Sequence, residues 1–346
     1  MELTSNDLLL VTGATGLVGS HVVERACRQG IPTRAICRST ADTSLLEQFG
    51  AEIVHGDLTD AESLRRAAQG ATLIVHCAAK VGDWGPTADY RTVNVQGLET
   101  LLDAAEKSGT LRKMVHISSL GVYPARDHYG TDETTEPSTR GIDGYTLTKV
   151  EAENLIRQRM EQQGFPAVIL RPGFIYGPRD RTVIPRILER LRDGQFKYLG
   201  SPEKLMNNTC VFNLVDAVFL GLKNDQATGR IYNITDGRLV SKREFISTIA
   251  EEAGCKPPTG VVPLGVARGL AWTLESVWKV LGKQEAPILS GARIKFLGLN
   301  LEYSIDRARQ ELGYSPATDF QEGMKQTIAW FTDQETPAGQ RKSAAA

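Results

Sequence analysis

The sequence predicts an α/β protein in which a Rossmann-like, doubly wound parallel sheet precedes a smaller, mainly α C-terminal lobe. Short apolar runs rich in β-branched residues alternate with amphipathic helical stretches over the first half of the 346 residues. Such alternation is typical of a parallel sheet covered by helices on both faces. After about residue 180 the alternation gives way to mostly helical periodicity, which predicts the lobe.

The strands are indicated by short, nearly continuous apolar runs, as expected where both faces of a strand are buried. We predict them over residues 8–12, 32–37, 52–57, 72–79, 113–119 and 167–173. Helices between them end at glycines such as Gly30 and Gly109, because glycine readily adopts the left-handed conformation that ends many helices.

The lobe is predicted to be helical, with only short strands near residues 196–200 and 230–235. Its helices are predicted over residues 183–194, 214–223, 241–254, 264–282 and 319–332. The resulting organisation is a sheet domain over 1–180 with segments returning near 209–235, a lobe over 181–332, and a disordered tail over 333–346.

The composition argues against several classes of partner. Lys and Arg number 40 and Asp and Glu number 41, for a net charge of −1. Nucleic acid is therefore not an expected partner, because binding it needs clustered positive charge. The five cysteines show no CxxC spacing, so neither a metal site nor a disulfide framework is predicted. Without a signal peptide or a bilayer-length apolar run, we expect a cytoplasmic protein.

Three glycines form the first candidate binding site. Gly13, Gly16 and Gly19 follow the first strand and open the first helix, with Thr15 and Leu17 between them. Glycines allow a backbone to turn tightly and to approach a pyrophosphate, whose charge is stabilised at a helix N-terminus. The spacing is GxxGxxG and not the better-known GxGxxG. Its position behind a strand and near the N-terminus still favours a dinucleotide-binding turn.

The end of the second strand selects between two cofactors. A carboxylate there binds the ribose 2′-hydroxyl of NAD, whereas an arginine accommodates the 2′-phosphate of NADP. This chain has Arg38 at that position, no carboxylate before Asp42, and Arg34 as a second basic residue on the same strand. We therefore predict NADP, with NAD as the alternative.

A tyrosine and a lysine four residues apart form the candidate catalytic pair. Tyr145 and Lys149 are neighbours on one face of a helix, and a nearby cation favours the phenolate and lowers the pKa of the phenol. Ser118 and Ser119 end a predicted strand upstream, where hydroxyls would meet a substrate carbonyl at the carboxyl edge of the sheet. With the glycine turn, these residues suffice for hydride transfer to or from a carbonyl.

Together these motifs resemble the extended short-chain dehydrogenases/reductases of the NAD-dependent epimerase/dehydratase superfamily. The motifs that carry this resemblance occur in the same order as in the family, and the resemblance covers nearly the whole chain. They are TGATGLVG, HGDLTD, HCAA, NVQG, ISSLGVY, YTLTK and RPGFIYGP. The resemblance implies that Tyr145 is the acid/base, that Lys149 contacts the nicotinamide ribose, and that Ser119 or Ser118 polarises the carbonyl. Asn94 would support the active-site backbone or a water chain. The implied cofactor contacts are Asp57 and Leu58 beside the adenine, Ala78, Ala79 and Lys80 in the cleft, and Pro172 and Gly173 beside the nicotinamide.

Two departures from the nucleotide-sugar enzymes of this superfamily narrow the function. Dehydratases carry an Asp-Glu pair just after the catalytic hydroxyl residue, where this chain has Leu120 and Gly121. Nucleotide-sugar enzymes commonly place an asparagine where this chain has Phe174. Both departures favour a substrate without a nucleotide.

The loop AKVGDWG at residues 79–85 resembles the 3β-hydroxysteroid dehydrogenase-like branch, which includes sterol-4-carboxylate 3-dehydrogenases and 2-alkyl-3-oxoalkanoate reductases. Residues 264–282 resemble the latter enzymes. The resemblance implies a hydrophobic substrate, and Lys80 is a hypothetical partner for its carboxylate. The residues expected to line its site are Val81, Trp84, Ser119, Phe174 and Tyr176.

The sequence thus predicts an NADP(H)-dependent oxidoreductase that interconverts a secondary alcohol and a ketone on a steroid-like or 2-alkyl-3-oxo acid substrate. The alternatives are a nucleotide-sugar epimerase and a non-catalytic NADP-sensing regulator. A homodimer through helices near 94–109 and 143–163 is expected by resemblance. A weak contact of helix 264–282 with a membrane surface is a further hypothesis.

Overall fold

The computed structural model describes residues 2–140, 143–283 and 285–335. The strands, in chain order, are β1 (Leu9–Thr12), β2 (Thr33–Cys37), β3 (Glu52–His55), β4 (Leu73–His76), β5 (Lys113–Ile117), β6 (His128–Thr131), β7 (Ala167–Pro172), β8 (Phe174–Tyr176), β9 (Tyr198–Leu199), β10 (Leu205–Met206), β11 (Asn208–Cys210), β12 (Ile231–Ile234), β13 (Val240–Ser241), β14 (Val261–Val262) and β15 (Leu301–Tyr303). The α-helices are α1 (Leu17–Arg28), α2 (Ser44–Gln48), α3 (Ala61–Ala68), α4 (Thr87–Arg91), α5 (Gly97–Ser108), α6 (Gly144–Gln163), α7 (Ile184–Arg192), α8 (Val211–Lys223), α9 (Lys242–Glu252), α10 (Leu264–Val280), α11 (Gly291–Gly298) and α12 (Phe320–Glu335).

Seven parallel strands form the central sheet in the order β12-β7-β5-β4-β1-β2-β3. The order reverses between β1 and β4, which pair with each other through Leu9 and Leu73. Such a switch point opens a crevice at the carboxyl ends of the strands, where ligands bind in doubly wound sheets. The predicted fold class is confirmed, and all six predicted strands occur in this sheet.

Two apolar cores cover the two faces of the sheet. One contains residues of α1 and α8, and the other contains residues of α3, α5 and α6. The seventh strand, β12, comes from residues after the lobe has begun and pairs in parallel with β7 through Ile231 and Ile169. The chain therefore returns to the sheet through β12, and α8, which precedes β12, packs on β5 and β7.

The C-terminal lobe has its own aromatic core. Phe174 packs edge-on against Phe245, and Phe245 lies against Phe320 of α12. In contrast, α10 packs against α11 and buries only Ala267 and Ala271. None of the helices in the described ranges is long and apolar enough to cross a membrane.

The end of the chain differs from the expectation at its first residues. Helix α12 continues to Glu335, so the predicted disordered tail does not begin at residue 333. Residues 336–346 lie outside the described residues.

Candidate active site at the carboxyl edge of the sheet

The turn between β1 and α1 has no room for side chains at two of its glycines. Gly13 adopts a φ of +65°, and a Cβ there would lie 2.7 Å from the Ala78 nitrogen. A Cβ on Gly19 would collide with the Gly13 carbonyl oxygen. The backbone of the turn therefore packs directly against β4 and α1, as close approach to a pyrophosphate requires.

The N-terminus of α1 is open to an anion. Gly16 occupies the N-cap position with no side-chain cap, and the first turn of α1 contains no acidic residue. The free N–H groups and the helix dipole at this end stabilise negative charge. These features fit the pyrophosphate of a dinucleotide, with Thr15 and Leu17 half-buried in the same turn.

The other cofactor positions surround the same edge. Ala78 and Ala79 follow β4 and are partly exposed, and the Ala78 N–H donates to the Thr12 hydroxyl at 3.2 Å. Asp57 is partly exposed after β3, whereas Leu58 is buried. A Cβ on Gly97 would lie 2.8 Å from the Leu58 Cβ, so Leu58 also packs α5 onto the sheet.

The two arginines of β2 differ in what they contact. Arg38 follows the strand and is exposed. Arg34 forms an ion pair with Glu52 at 3.0 Å and donates from Nη1 to the carbonyls of Ala67 and Gln69. Arg34 therefore ties β2 to its neighbours, whereas Arg38 is exposed at the carboxyl end of the strand.

The two serines after β5 have different surroundings. Ser118 is buried, and its hydroxyl donates to Glu153 Oε1 at 2.5 Å. Ser119 is partly exposed, and its Oγ accepts the Gly121 N–H at 3.0 Å. Because that bond uses a lone pair of Oγ, the hydroxyl proton of Ser119 stays free to donate to a substrate oxygen. Of the two serines, Ser119 has the geometry for catalysis.

Lys149 is buried, and its Nζ donates to the Ile117 carbonyl at 2.8 Å. That Nζ lies 5.9 Å from the centre of the Tyr145 ring. Burial lowers the pKa of Lys149 to about 8, although Cys77 and Glu153 act in the opposite direction.

The expected lowering of the Tyr145 pKa by Lys149 is wrong for this structure. Burial, together with the charge of Asp143, raises the pKa of the Tyr145 phenol well above its usual range. The ammonium of Lys149 is held at Ile117 and does not offset this burial. Tyr145 is therefore protonated at neutral pH and can act as a proton donor.

Asn94 connects the loop at residues 79–85 (the substrate loop) to α6, the helix that bears Tyr145 and Lys149 (the catalytic helix). Its side chain accepts the Lys80 N–H at 2.7 Å and donates to the Lys80 carbonyl and the Thr148 hydroxyl, each at 3.0 Å. It lies in a π-helical turn, Thr92–Gln96, a distortion that is frequent at functional sites. Asn94 thus holds the loop backbone beside the residue that precedes Lys149.

The predicted substrate residues do not all share one surface. Val81 is exposed, and Trp84 donates from its indole to the Lys283 carbonyl at 2.9 Å. Phe174 is nearly buried among the lobe's aromatic rings. The Lys80 ammonium lies 3.2 Å from Asp89, which already supplies it with a carboxylate.

Tyr176 was predicted to line the substrate site, and the structure contradicts this. Its side chain has no exposed surface, and its hydroxyl donates to Asp236 at 3.0 Å within the lobe core. Pro172 is buried at the end of β7. A Cβ on Gly173 would overlap the Asn207 carbonyl oxygen, so internal packing already requires this glycine.

Several residues that the sequence did not single out shape the site. Tyr90 donates its hydroxyl to the Trp84 carbonyl at 2.6 Å, and its ring leaves no space for a side chain at Gly144, beside Tyr145. The Arg171 guanidinium contacts Glu153 and the Tyr123 hydroxyl behind Ser118. The pairing of these residues depends on tertiary contacts, so no local motif signals it.

Comparison with known proteins is consistent with this site. Residues 9–235 match the NAD dependent epimerase/dehydratase family. The chain is 31% identical to a 4-hydroxy-2-methyl-3-oxo-4-farnesyl-3,4-dihydroquinoline-1-oxide ketoreductase of Stigmatella aurantiaca, over 95% of this chain and 97% of the relative. It is 32% identical to a 2-alkyl-3-oxoalkanoate reductase of Shewanella oneidensis, over 92% and 85%.

A third relative, a 3-beta-hydroxysteroid dehydrogenase of Mycolicibacterium neoaurum, is 30% identical over 94% of this chain and 91% of its own length. Among solved structures, that of gox2253 superposes with a TM-score of 0.80 at 28% identity, over 95% of this chain and 98% of that chain.

Proposed function

Since the chain belongs to the NAD dependent epimerase/dehydratase family, we propose that it is an NADP(H)-dependent oxidoreductase interconverting a ketone and a secondary alcohol on a hydrophobic substrate. Its family and its named relatives identify it as an NAD(P)-dependent oxidoreductase of the short-chain type. The observation that supports the finer proposal is that Ser119, Tyr145 and Lys149 lie together after β5, at the same carboxyl edge of the sheet as the glycine turn that follows β1.

In the proposed reaction, Ser119 and Tyr145 donate hydrogen bonds to the substrate oxygen. A bound nicotinamide would supply or accept the hydride. In the reductive direction the Tyr145 phenol, whose pKa is raised by burial, gives its proton to the developing alkoxide. Lys149 keeps its positive charge beside the site while it holds the Ile117 carbonyl.

The substrate is proposed to carry its oxygen beside a large apolar body, as in 2-alkyl-3-oxo acids or 3β-hydroxysteroids. The relatives' names support this class. The aromatic contacts of Phe174 with Phe245 and Phe296 also support it, because they offer a diphosphate no polar partner at that position. Leu120 and Gly121 leave no acid/base pair after Ser119 for an elimination.

The test is an absorbance assay of NAD(P)H turnover with 2-alkyl-3-oxo acids, 3β-hydroxysteroids and nucleotide sugars. Tyr145→Phe should lower kcat about 100-fold or more, the usual size of an acid/base contribution, while NADPH affinity stays within about two-fold. Turnover confined to nucleotide sugars would support an epimerase instead. NADPH binding without turnover of any carbonyl or alcohol would support the regulator.

The preference for NADP is proposed on Arg38, which is exposed at the end of β2 where a 2′-phosphate would lie. Arg38→Ala should lower kcat/KM with NADPH and leave kcat/KM with NADH nearly unchanged. Arg66→Ala is a matched control, since Arg66 is an exposed arginine on α3. An unchanged ratio between the two cofactors in Arg38→Ala would contradict the assignment.

A contact with an anionic lipid surface is proposed for α10. Its solvent side presents Val266, Leu270, Val277 and Val280 at helical spacing, and Trp272, on another face of the helix, is 72% exposed. The exposed charges along it are Arg268, Lys279 and Lys283, whereas Glu275 is held by the Gly291 N–H at 2.7 Å. A helix with an exposed apolar face and cations on its other, polar face is typical of helices that lie on anionic membranes.

Co-sedimentation with vesicles of mixed phosphatidylglycerol and phosphatidylcholine at low salt tests the contact. We expect binding that Leu270→Asn weakens and that pure phosphatidylcholine does not support. Leu239→Asn is the matched control, because Leu239 is also exposed but lies outside α10. Absence of binding, or equal binding by both variants, would overturn the proposal.

A further inference from the structure

Two buried lysines hold the segment that carries Ser119, one from each side of the cleft. Lys149 donates to the Ile117 carbonyl, before the serine, at 2.8 Å. Lys295 donates to the carbonyls of Gly121 and Tyr123, after the serine, at 2.6 and 2.7 Å. Lys149 belongs to α6 of the sheet domain, whereas Lys295 belongs to α11 of the lobe.

Lys295 is unusual because lysines are rarely buried. Only 6% of its surface is exposed, and the carboxylate that acts on it electrostatically is Asp143. Burial lowers the pKa of Lys295 to about 8. Asp143 is the N-cap of α6 and accepts the Thr146 N–H at 2.7 Å. The ammonium therefore lies between the Ser119 turn and the start of the helix that bears Tyr145.

The bonds of Gly121 connect Lys295 to the reacting hydroxyl. The Gly121 N–H donates to Ser119 Oγ at 3.0 Å, while the Gly121 carbonyl accepts from Lys295. A Cβ on Gly121 would lie 3.1 Å from Ser119 Oγ and 3.3 Å from a methyl group of Thr146, so the turn has little space to shift. Fixing this residue fixes which lone pair of Ser119 is used and leaves its proton for the substrate.

We propose that Lys295 is a positioning residue that orients Ser119 through Gly121. This makes the C-terminal lobe a structural part of the catalytic geometry. The inference rests on the proposed function, because it assigns Ser119 the role of donor to the substrate oxygen. Lys295 contacts the turn through the Gly121 and Tyr123 carbonyls, so we expect its main effect on the rate to pass through Ser119.

A double-mutant cycle tests this route. Lys295→Met should lower kcat about 10- to 100-fold, the size expected when a reacting group is slightly misplaced, with NADPH affinity within about two-fold. In a Ser119→Ala background, Lys295→Met should have no further effect on kcat, because the residue through which it acts is gone. An equal loss in both backgrounds would overturn the inference.

Lys242→Met is the matched control. Lys242 is also a buried lysine of the lobe, but its Nζ donates to the Leu299 carbonyl at 2.5 Å and not to the carbonyls of Gly121 and Tyr123 that Lys295 holds. Its loss should lower stability without changing kcat. If Lys295→Met does not fold, Lys295→Gln replaces it in the cycle, because the glutamine amide can still donate a hydrogen bond to the turn. Its loss of kcat should be smaller than that of Lys295→Met, and it should likewise disappear in the Ser119→Ala background.

A second measurement is independent of turnover. Amide hydrogen exchange in residues 118–124 should be faster in Lys295→Met than in the parent protein, and unchanged in Lys242→Met. Unaltered exchange in Lys295→Met would contradict the inference. Failure of the proposed function would be recognised separately, as absence of any turnover that Tyr145→Phe removes.

Discussion

Gly19 and Gly269 are both glycines inside helices, one on the cofactor side of the cleft and one in the lobe. A Cβ on Gly19 would collide with the Gly13 carbonyl, whereas a Cβ on Gly269 would meet nothing within 4 Å. The first glycine is required by packing within the chain, and the second is not. The backbone around Gly19 is therefore tightly packed, whereas α10 has free space around Gly269.

Alanine at these two glycines should give opposite results, with the largest effect at Gly19. Gly19→Ala forces the phosphate turn away from α1, so we expect NADPH affinity to fall at least about ten-fold and stability to fall by about 1–3 kcal/mol. Gly269→Ala should raise stability by up to about 1 kcal/mol, because alanine favours a helix. Fluorescence titration with NADPH and urea unfolding measure both effects.

The comparison fails if Gly19→Ala binds NADPH as well as the parent protein does. A loss of stability in Gly269→Ala would also contradict it. Such a loss would mean that another molecule packs against α10 at Gly269. Gly265→Ala provides a repeat of the second measurement, because a Cβ on Gly265 also meets nothing within 4 Å.

Lys149 and Lys295, which hold the Ser119 segment from the sheet domain and from the lobe, allow the two regions to be compared by their effect on the pH dependence of the rate. Burial lowers the pKa of Lys149 to about 8, so Lys149 loses its charge as the pH rises through that value. We expect kcat/KM for ketone reduction to fall above about pH 8. In Lys149→Arg this fall should disappear, because arginine stays protonated. The measurement is a pH–rate profile between pH 6 and about pH 10, a range set by the ordinary lysine pKa.

Lys295→Gln separates the two lysines in this profile. If Lys149 governs the fall, Lys295→Gln has a lower rate at every pH but the same dependence on pH. A profile that Lys149→Arg leaves unchanged, or one that Lys295→Gln flattens, would assign the titration to the lobe and not to the catalytic helix.

The sheet and the candidate cofactor site could be inferred from the sequence because their signals are local. The glycines of the turn, Arg38 and the pair Tyr145 and Lys149 each lie within one strand–turn–helix unit or one helical turn. Hydrophobic runs bounded by turns placed all six predicted strands of the sheet, because strands buried on both faces leave a continuous apolar pattern.

The substrate side was not predictable in the same way, because its contacts join distant parts of the chain. Lys295 contacts Gly121, and Arg293 contacts Asp83, across long sequence separations that no motif records. Tyr176 shows that the reverse also holds: a residue can be near the site in sequence and lie outside it in the structure. It stands beside the expected nicotinamide segment in sequence, yet Asp236 and the lobe core hold it.

The smallest expected effect concerns the contact that joins the substrate loop to the lobe. Asp83 Oδ2 accepts from Arg293 Nε at 2.7 Å and from the Ser290 hydroxyl at 2.9 Å. Both partners of the ion pair are partly exposed, so its loss in Asp83→Asn should be worth at most about 1 kcal/mol. Because we propose that the loop borders the substrate and not the reacting atoms, we expect KM for the ketone to rise about two- to five-fold, the equivalent of that energy.

The value of kcat should stay unchanged in Asp83→Asn, as should NADPH affinity, since neither Ser119 nor the glycine turn contacts Asp83. Glu203→Gln, which removes an exposed ion pair with Arg243 elsewhere in the lobe, is the control and should alter neither constant. A fall in kcat without a rise in KM would show that the loop acts on the catalytic residues. In that case the loop that Asp83 ties to α11 would belong functionally with the catalytic residues, and not only with substrate binding.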